Sequence, residues 1–121
     1  MRSEAHITGH RVGYRIALIT LDAHAAGPCA RAAQALASEF PGLEIDVYAA
    51  AEWGENKVAL NAAQDAILTA DIIVVNLLFL EEHVKAILPQ LIKRRDACDA
   101  MIGVISDATI VKMTRMGSLD M

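Results

Sequence analysis

Asp22 and His24, Glu52 and Trp53, the run Glu81, Glu82 and His83, and the pair Ser106 and Asp107 are the side chains whose types and spacing could do chemistry in this 121-residue sequence. Each group stands just after an apolar stretch. If those stretches are parallel strands, the groups collect on one edge of the sheet, where ligand crevices of open α/β folds form. Two histidines and several carboxylates gathered there could bind a divalent metal or serve as acid and base. Each residue also has a local role open to it. Loops are polar by default, and Glu81 and Glu82 suit the first turn of a helix, whose dipole favours acids.

Other chemistries are poorly supported. The first apolar run is followed by DAHAAGP, which is neither GxGxxG nor GxxxxGK[ST], so a nucleotide site is not expected. Ser106 lies in GVISDA without a GxSxG elbow or an adjacent base, which argues against nucleophilic hydrolysis. A phospho-acceptor domain would want paired acids after the first strand and an aspartate after the third. Here Asp22 stands alone and Glu81-Glu82 takes the acceptor's place. Asn76, inside an apolar run, needs a hydrogen-bond partner or costs roughly 1–3 kcal/mol. Trp53 and Tyr48 could offer a flat surface to a partner or macrocycle, or simply close the end of a core.

The elements that must position these groups follow from the hydrophobic pattern. Arg15 to Leu21 reads as a first strand, and an alanine-rich helix opens at Gly27-Pro28 and runs to Phe40, with Ala30, Ala33, Ala37 and Phe40 on one face. Leu43 to Ala50 alternates apolar and polar residues, as an edge or near-edge strand does. A helix over Glu55 to Thr69 carries an apolar stripe of Val58, Ala62, Ala66 and Ile67, with Asn56, Lys57, Asn61 and Asp65 outward. Ile72 to Phe79, within DIIVVNLLFLEEH, lacks alternation and reads as a central strand buried on both faces. Glu81 to Ala97 is the best amphipathic helix, with Val84, Ile87, Leu88, Leu91 and Ile92 on its apolar face and Pro89 expected to kink or split it. A fourth strand over Asp99 to Ser106 and a helix over Thr109 to Met116 complete the alternation. Strand and helix thus alternate throughout, which predicts an open parallel α/β sheet with helices on both faces, flavodoxin-like or Rossmann-like. The closing residues Gly117 to Met121 give it a truncated look.

Bulk properties narrow the class further. The length fits one domain over residues 14–121, behind a polar N-terminal arm over residues 1–13 that is expected to be flexible. Hydrophobic residues make up 55% and mean hydropathy is +0.34, yet no run approaches the roughly 20 apolar residues of a membrane span. The excess suits a buried sheet or a surface meant for more protein. A net charge of −4 argues against nucleic-acid binding. The basic cluster Lys93-Arg94-Arg95 fits the last turn of a helix. Cys29 and Cys98 match no metal spacing and read as reduced, buried thiols of a cytosolic protein. The N-terminus lacks the apolar core of a secretory signal.

Longer segments carry a resemblance. TLDAHAAGPCARA, FPGLEIDVYAAAEW, ADIIVVNLLFLEEHVKAILPQL and RRDACDAMIGVISDATIVKMTRMG, in this order and from about Tyr14 to Met121, closely resemble the N-terminal region of the magnesium chelatase large subunit. This is the porphyrin-binding H subunit in its bacteriochlorophyll-pathway form. The resemblance implies a part in ATP-dependent insertion of Mg2+ into protoporphyrin IX. It also implies partners: the remaining domains of a much larger subunit and two smaller AAA+ motor subunits that hydrolyse ATP. A cytoplasmic location follows, with peripheral membrane association compatible with it.

Within that family the porphyrin cavity is built mainly from later domains, so no catalytic residue is carried onto a position here. No cofactor is expected to be held by this domain itself, and Mg2+, ATP and porphyrin belong to the complete complex. Mg2+ is a hard ion that sheds water reluctantly and prefers oxygen ligands, so Asp22, Glu52, Glu81 and Glu82 are chemically suited to its delivery. Scaffold or interaction surface is the leading role, with Asp22, His24, Glu52, Trp53, Glu81, Glu82 and His83 as candidate contact residues. A related large subunit of a cobalt-inserting chelatase and a non-catalytic α/β binding module are the alternatives.

Overall fold

The structure is a computed structural model that describes residues 13–121, so the expected N-terminal arm lies outside the described residues apart from Gly13. Four short apolar segments form parallel strands: β1 (Tyr14–Thr20), β2 (Leu43–Ala49), β3 (Ile72–Asn76) and β4 (Ala100–Val104). Between them lie α1 (Ala26–Leu36), α2 (Lys57–Thr69) and α3 (Glu81–Arg94). A four-residue helix α4 (Ala108–Val111) then leads to a hairpin of β5 (Arg115–Met116) and β6 (Leu119–Asp120). The spatial order is β2-β1-β3-β4-β5-β6. This is the expected open α/β sheet, with β2 on its edge and β3 near its centre.

Local chemistry explains the element boundaries. The β-branched residues of IIVVN favour a pleated strand. Asn56 caps α2 by accepting the Ala59 N–H through Oδ1 at 3.0 Å, which satisfies one of the helix's orphan donors. The first turn of α3 holds Glu81 and Glu82 and its last turn Lys93 and Arg94, each complementing the helix dipole.

The two faces of the sheet are covered unequally. The path β1-α1-β2 moves one way across the sheet and β2-α2-β3 returns past β1, so right-handed crossovers place α1 and α2 on opposite faces. Alternating strand residues Ala17, Ile19, Ile73, Val75 and Met101 form one core with Ala63, Ala66 and Ile67 of α2 and Val84, Ile87 and Leu91 of α3. Strand β4 is covered on that side by α4, and a Cβ on Gly103 would stand 2.4 Å from the Ile110 carbonyl oxygen. Only glycine fits there. On the other face α1 packs along β2 and buries no residue fully, while Ile72, Val74 and Ile102 are only partly covered.

Several sequence expectations require correction. Strand β3 stops at Asn76, because Leu77 adopts a φ of 61° and turns the chain; Leu78 drops back into the core while Phe79 is exposed. The strand is therefore buried on one face, not two. Along α1 the partly buried residues are Cys29, Ala33 and Leu36, and Ala30, Ala37 and Phe40 face outward. In α2 the buried stripe is Ala63, Ala66 and Ile67, and Val58 is 78% exposed. Asn56, Lys57, Asn61 and Asp65 do face outward. Helix α3 runs unbroken through the exposed Pro89, so it does not split, and Ile92 lies outside its apolar stripe.

The expected helix over Thr109 to Met116 is replaced by α4 and the start of the hairpin. Four helical residues are too few for a parallel crossover, which needs roughly a dozen, so the chain returns antiparallel to β4. Gly117, at a φ of 61°, makes the two-residue turn that joins β5 to β6.

Candidate functional site

The carboxyl ends of β1, β2, β3 and β4 bring the sequence-predicted residues to one edge, but local bonds claim most of them. Asp22 Oδ1 accepts the His24 N–H at 3.0 Å, and the His24 Nδ1 lies 2.7 Å from the same oxygen. The donated backbone hydrogen bond, helped by the neighbouring imidazole, holds the Asp22 carboxyl below its ordinary value. Glu81 pairs with Lys85 one turn along α3 at 3.0 Å. Asp107 caps α4 by accepting the Thr109 N–H at 2.9 Å. The Ser106 hydroxyl accepts the Leu78 N–H at 3.1 Å and donates to the Val104 carbonyl, fastening the ends of β3 and β4 together. Glu52 and Glu82 are exposed.

Trp53 is not a flat surface for a ligand. It is 3% exposed and sits in the core, where its ring meets His83 edge-on at a centroid distance of 5.9 Å. Among the described residues, its indole Nε1 and the His83 Nδ1 are both buried without a hydrogen-bond partner, as is Oδ1 of Asn76. Two hollows open nearby. One of about 340 Å³ lies between the starts of α3 and α4, lined by Phe79, Glu81, Val84, Lys85, Leu88, Asp107 and Thr109. Another of about 120 Å³ is lined by Glu52 and Trp53 together with Tyr48 and Ala59. They share no lining residue, so the candidates divide between two places. Among the described residues, no three His, Cys, Asp or Glu side chains come together in a way that could hold a metal ion.

What the sequence reading missed at this edge is apolar. Leu21, Leu77, Phe79, Leu80 and Ile105 all stand exposed where the strands end. Leu77 and Ile105 have φ values of 61° and 46°, and the Leu77 N–H donates to the Ile105 carbonyl at 2.8 Å. A left-handed conformation disfavours side chains with a Cβ, most of all a β-branched one such as isoleucine. The signal in the sequence was length: Ile72 to Leu80 is longer than the five or six residues of an average strand.

The opposite edge is held by polar groups. Asp71 Oδ2 accepts the Arg15 N–H at 2.8 Å, and the Asp71 carbonyl accepts the Asp99 N–H at 2.8 Å. Arg94 donates to the Ala70 carbonyl, Arg95 to those of Met113 and Thr114, and Arg115 to those of Arg95 and Cys98. The basic cluster is therefore structural in its two arginines. Cys98 is buried, and its burial pushes the thiol's pKa up, whereas Cys29 is only half-buried, which corrects the expectation of two buried thiols.

Comparison with known proteins decides the family. Residues 15–121 match the family described as "Domain of unknown function (DUF3479)". The chain belongs to the DUF3479 family. It is also similar to two curated proteins, each named as the H subunit of magnesium chelatase. The relative from Cereibacter sphaeroides is 57% identical over 109 residues, and that from Rhodobacter capsulatus 52% identical over 109 residues. Each match covers 90% of this chain and 9% of the relative, so this DUF3479 domain spans under a tenth of the proteins it resembles. The resemblance read from the sequence is thus shown, for the N-terminal domain of the H subunit. No helix among the described residues is long and apolar enough to cross a membrane.

Proposed function

We propose that this DUF3479 domain acts as scaffold and docking surface within the H subunit of a magnesium chelatase. The complete complex inserts Mg2+ into protoporphyrin IX, with ATP hydrolysed by two smaller AAA+ partner subunits, in bacteriochlorophyll biosynthesis in the cytoplasm. In this reading the domain meets other domains of the subunit or the motor subunits through the carboxyl edge of its sheet, and the porphyrin and Mg2+ are handled elsewhere. The observation that carries it is the character of that edge. Large apolar side chains stand in solvent there on strained backbone, while the acids beside them are engaged in caps and short-range pairs or lie free in water. An exposed apolar patch rimmed by polar residues marks a protein contact more readily than a metal site.

Buried Trp53 gives the test. Deuteroporphyrin IX titrated into the chain should leave the Trp53 fluorescence without a saturable quench. Saturable one-to-one quenching, lost in Glu52→Ala or His83→Ala, would instead make the domain part of the porphyrin site and overturn the proposal.

A further inference from the structure

The second face of the sheet is incomplete in a way that specifies what covers it. Register places Ile72 and Val74 of β3 beside Ala100 and Ile102 of β4, Asn76 beside Val104, and then Met116 and Leu119 of the hairpin in line with Ala100. Side chains of paired neighbours share a face. This strip therefore runs from β3 to β6 without a charged residue, because Arg115 and Asp120 alternate to the other side. Val104 is 40% exposed and Leu119 49%. On the opposite face β3 and β4 lie under α2, α3 and α4. On this face α1 packs along β2, at the far edge.

None of the described connections can supply the missing cover. The link from β4 to β5 contains only α4, and α4 lies on the closed side with Ile110 against Gly103. The curated relatives carry roughly ten times more chain outside the matched segment, since the match is 9% of their length. We infer that, in a polypeptide of the relatives' length, an amphipathic helix from outside this segment packs lengthwise on β3 and β4 over Val74, Ile102 and Val104. A five-residue strand extends about 17 Å. A helix of about 11 residues spans that distance at 1.5 Å per residue. Its contact stripe is apolar, matching a strip that offers no charge.

The inference concerns the sheet's face and stands apart from the proposal about its carboxyl edge. It is tested by cysteine labelling in a Cys29→Ser background, using Val104→Cys and Leu119→Cys separately so that one variant suffices if the other folds poorly. Each is measured twice: in the isolated chain, and in the Cereibacter sphaeroides relative with its 109 matching residues replaced by this chain. Maleimide should label both positions rapidly in the isolated chain and at least about tenfold more slowly in the chimera, as cover by packed structure requires. Val58→Cys, on the outer side of α2, should label equally in both. Cross-linking from Val104→Cys should then identify one helical segment of the same chain. Equal labelling in both contexts would overturn the inference. So would protection that appears only when the motor subunits are added, or protection in the isolated chain that rises with its concentration, because the cover would then be another protein or a second copy.

Discussion

The two ends of the parallel strands are built on opposite principles. At the amino end, Asp71, Arg94, Arg95 and Arg115 tie neighbouring segments together through backbone carbonyls and amides, so the polar groups there are spent on architecture. At the carboxyl end the backbone is bent into left-handed turns at Leu77 and Ile105, apolar side chains stand in water, and buried polar atoms of Trp53, Asn76 and His83 lack partners among the described residues. Strain and unmet bonding potential tend to gather at functional places. The contrast teaches that the edge proposed for docking is set apart by what it leaves unfinished, more than by its acids and histidines.

Substitutions can break or sharpen that contrast. The largest effect is expected at Gly103, where β4 approaches its carboxyl end beneath α4. Gly103→Ala forces a Cβ to 2.4 Å from the Ile110 carbonyl and should cost about 3 kcal/mol in urea unfolding, the upper range for overpacking. Next comes the amino end. Asp71→Ala strips the acceptor from the part-buried Arg15 N–H and should cost roughly 2 kcal/mol, and a loss no larger than that of the exposed Glu82→Ala would refute the division between the ends.

The third substitution reverses the sign. Ile105 is 67% exposed, so Ile105→Gly loses little burial while relieving a left-handed penalty of about 1–2 kcal/mol against a glycine cost of about 0.5–1 kcal/mol. A gain of about 0.5–1 kcal/mol in thermal unfolding is expected, and destabilisation would mean that the turn is not strained.

The smallest effect is the pH response of Asp22. Its carboxyl is held below the ordinary 3.8, so its stabilisation is complete above that pH and disappears as the pH falls through the lowered value. Wild type should be slightly more stable than Asp22→Asn at neutral pH, and acid unfolding curves of the two should converge below 3.8. Parallel curves across the whole range would show that the His24 contacts do not matter.

Much of this architecture was legible in the sequence. The alternation of LEIDVYA revealed the edge strand, and the spacing of Val84, Ile87 and Leu91 gave the face of α3 correctly. Where pattern lacked contrast, reading failed. An alanine-rich helix looks much the same from every side, so the face of α1 was misassigned. Continuous hydrophobicity in IIVVNLLFL does not distinguish a strand from a strand followed by an apolar turn, so its end was placed three residues late. The β5–β6 hairpin depends on the shortness of α4, which periodicity cannot resolve. Candidate residues were found at the right edge, but their capping and pairing are geometric facts invisible in residue types. The open second face was masked too, because its residues are as apolar as those of the covered one.

The most direct test of the docking role is the magnesium-insertion rate of the chimeric Cereibacter sphaeroides relative, assayed with its motor subunits, ATP and deuteroporphyrin IX. Edge variants Leu80→Asp and Ile105→Asp should lower the rate markedly while the fold stays intact by circular dichroism, and His24→Ala and Glu82→Ala should retain it. The reverse pattern, with chelation lost in the histidine and glutamate variants and preserved in the apolar ones, would contradict a docking role and return the edge to chemistry.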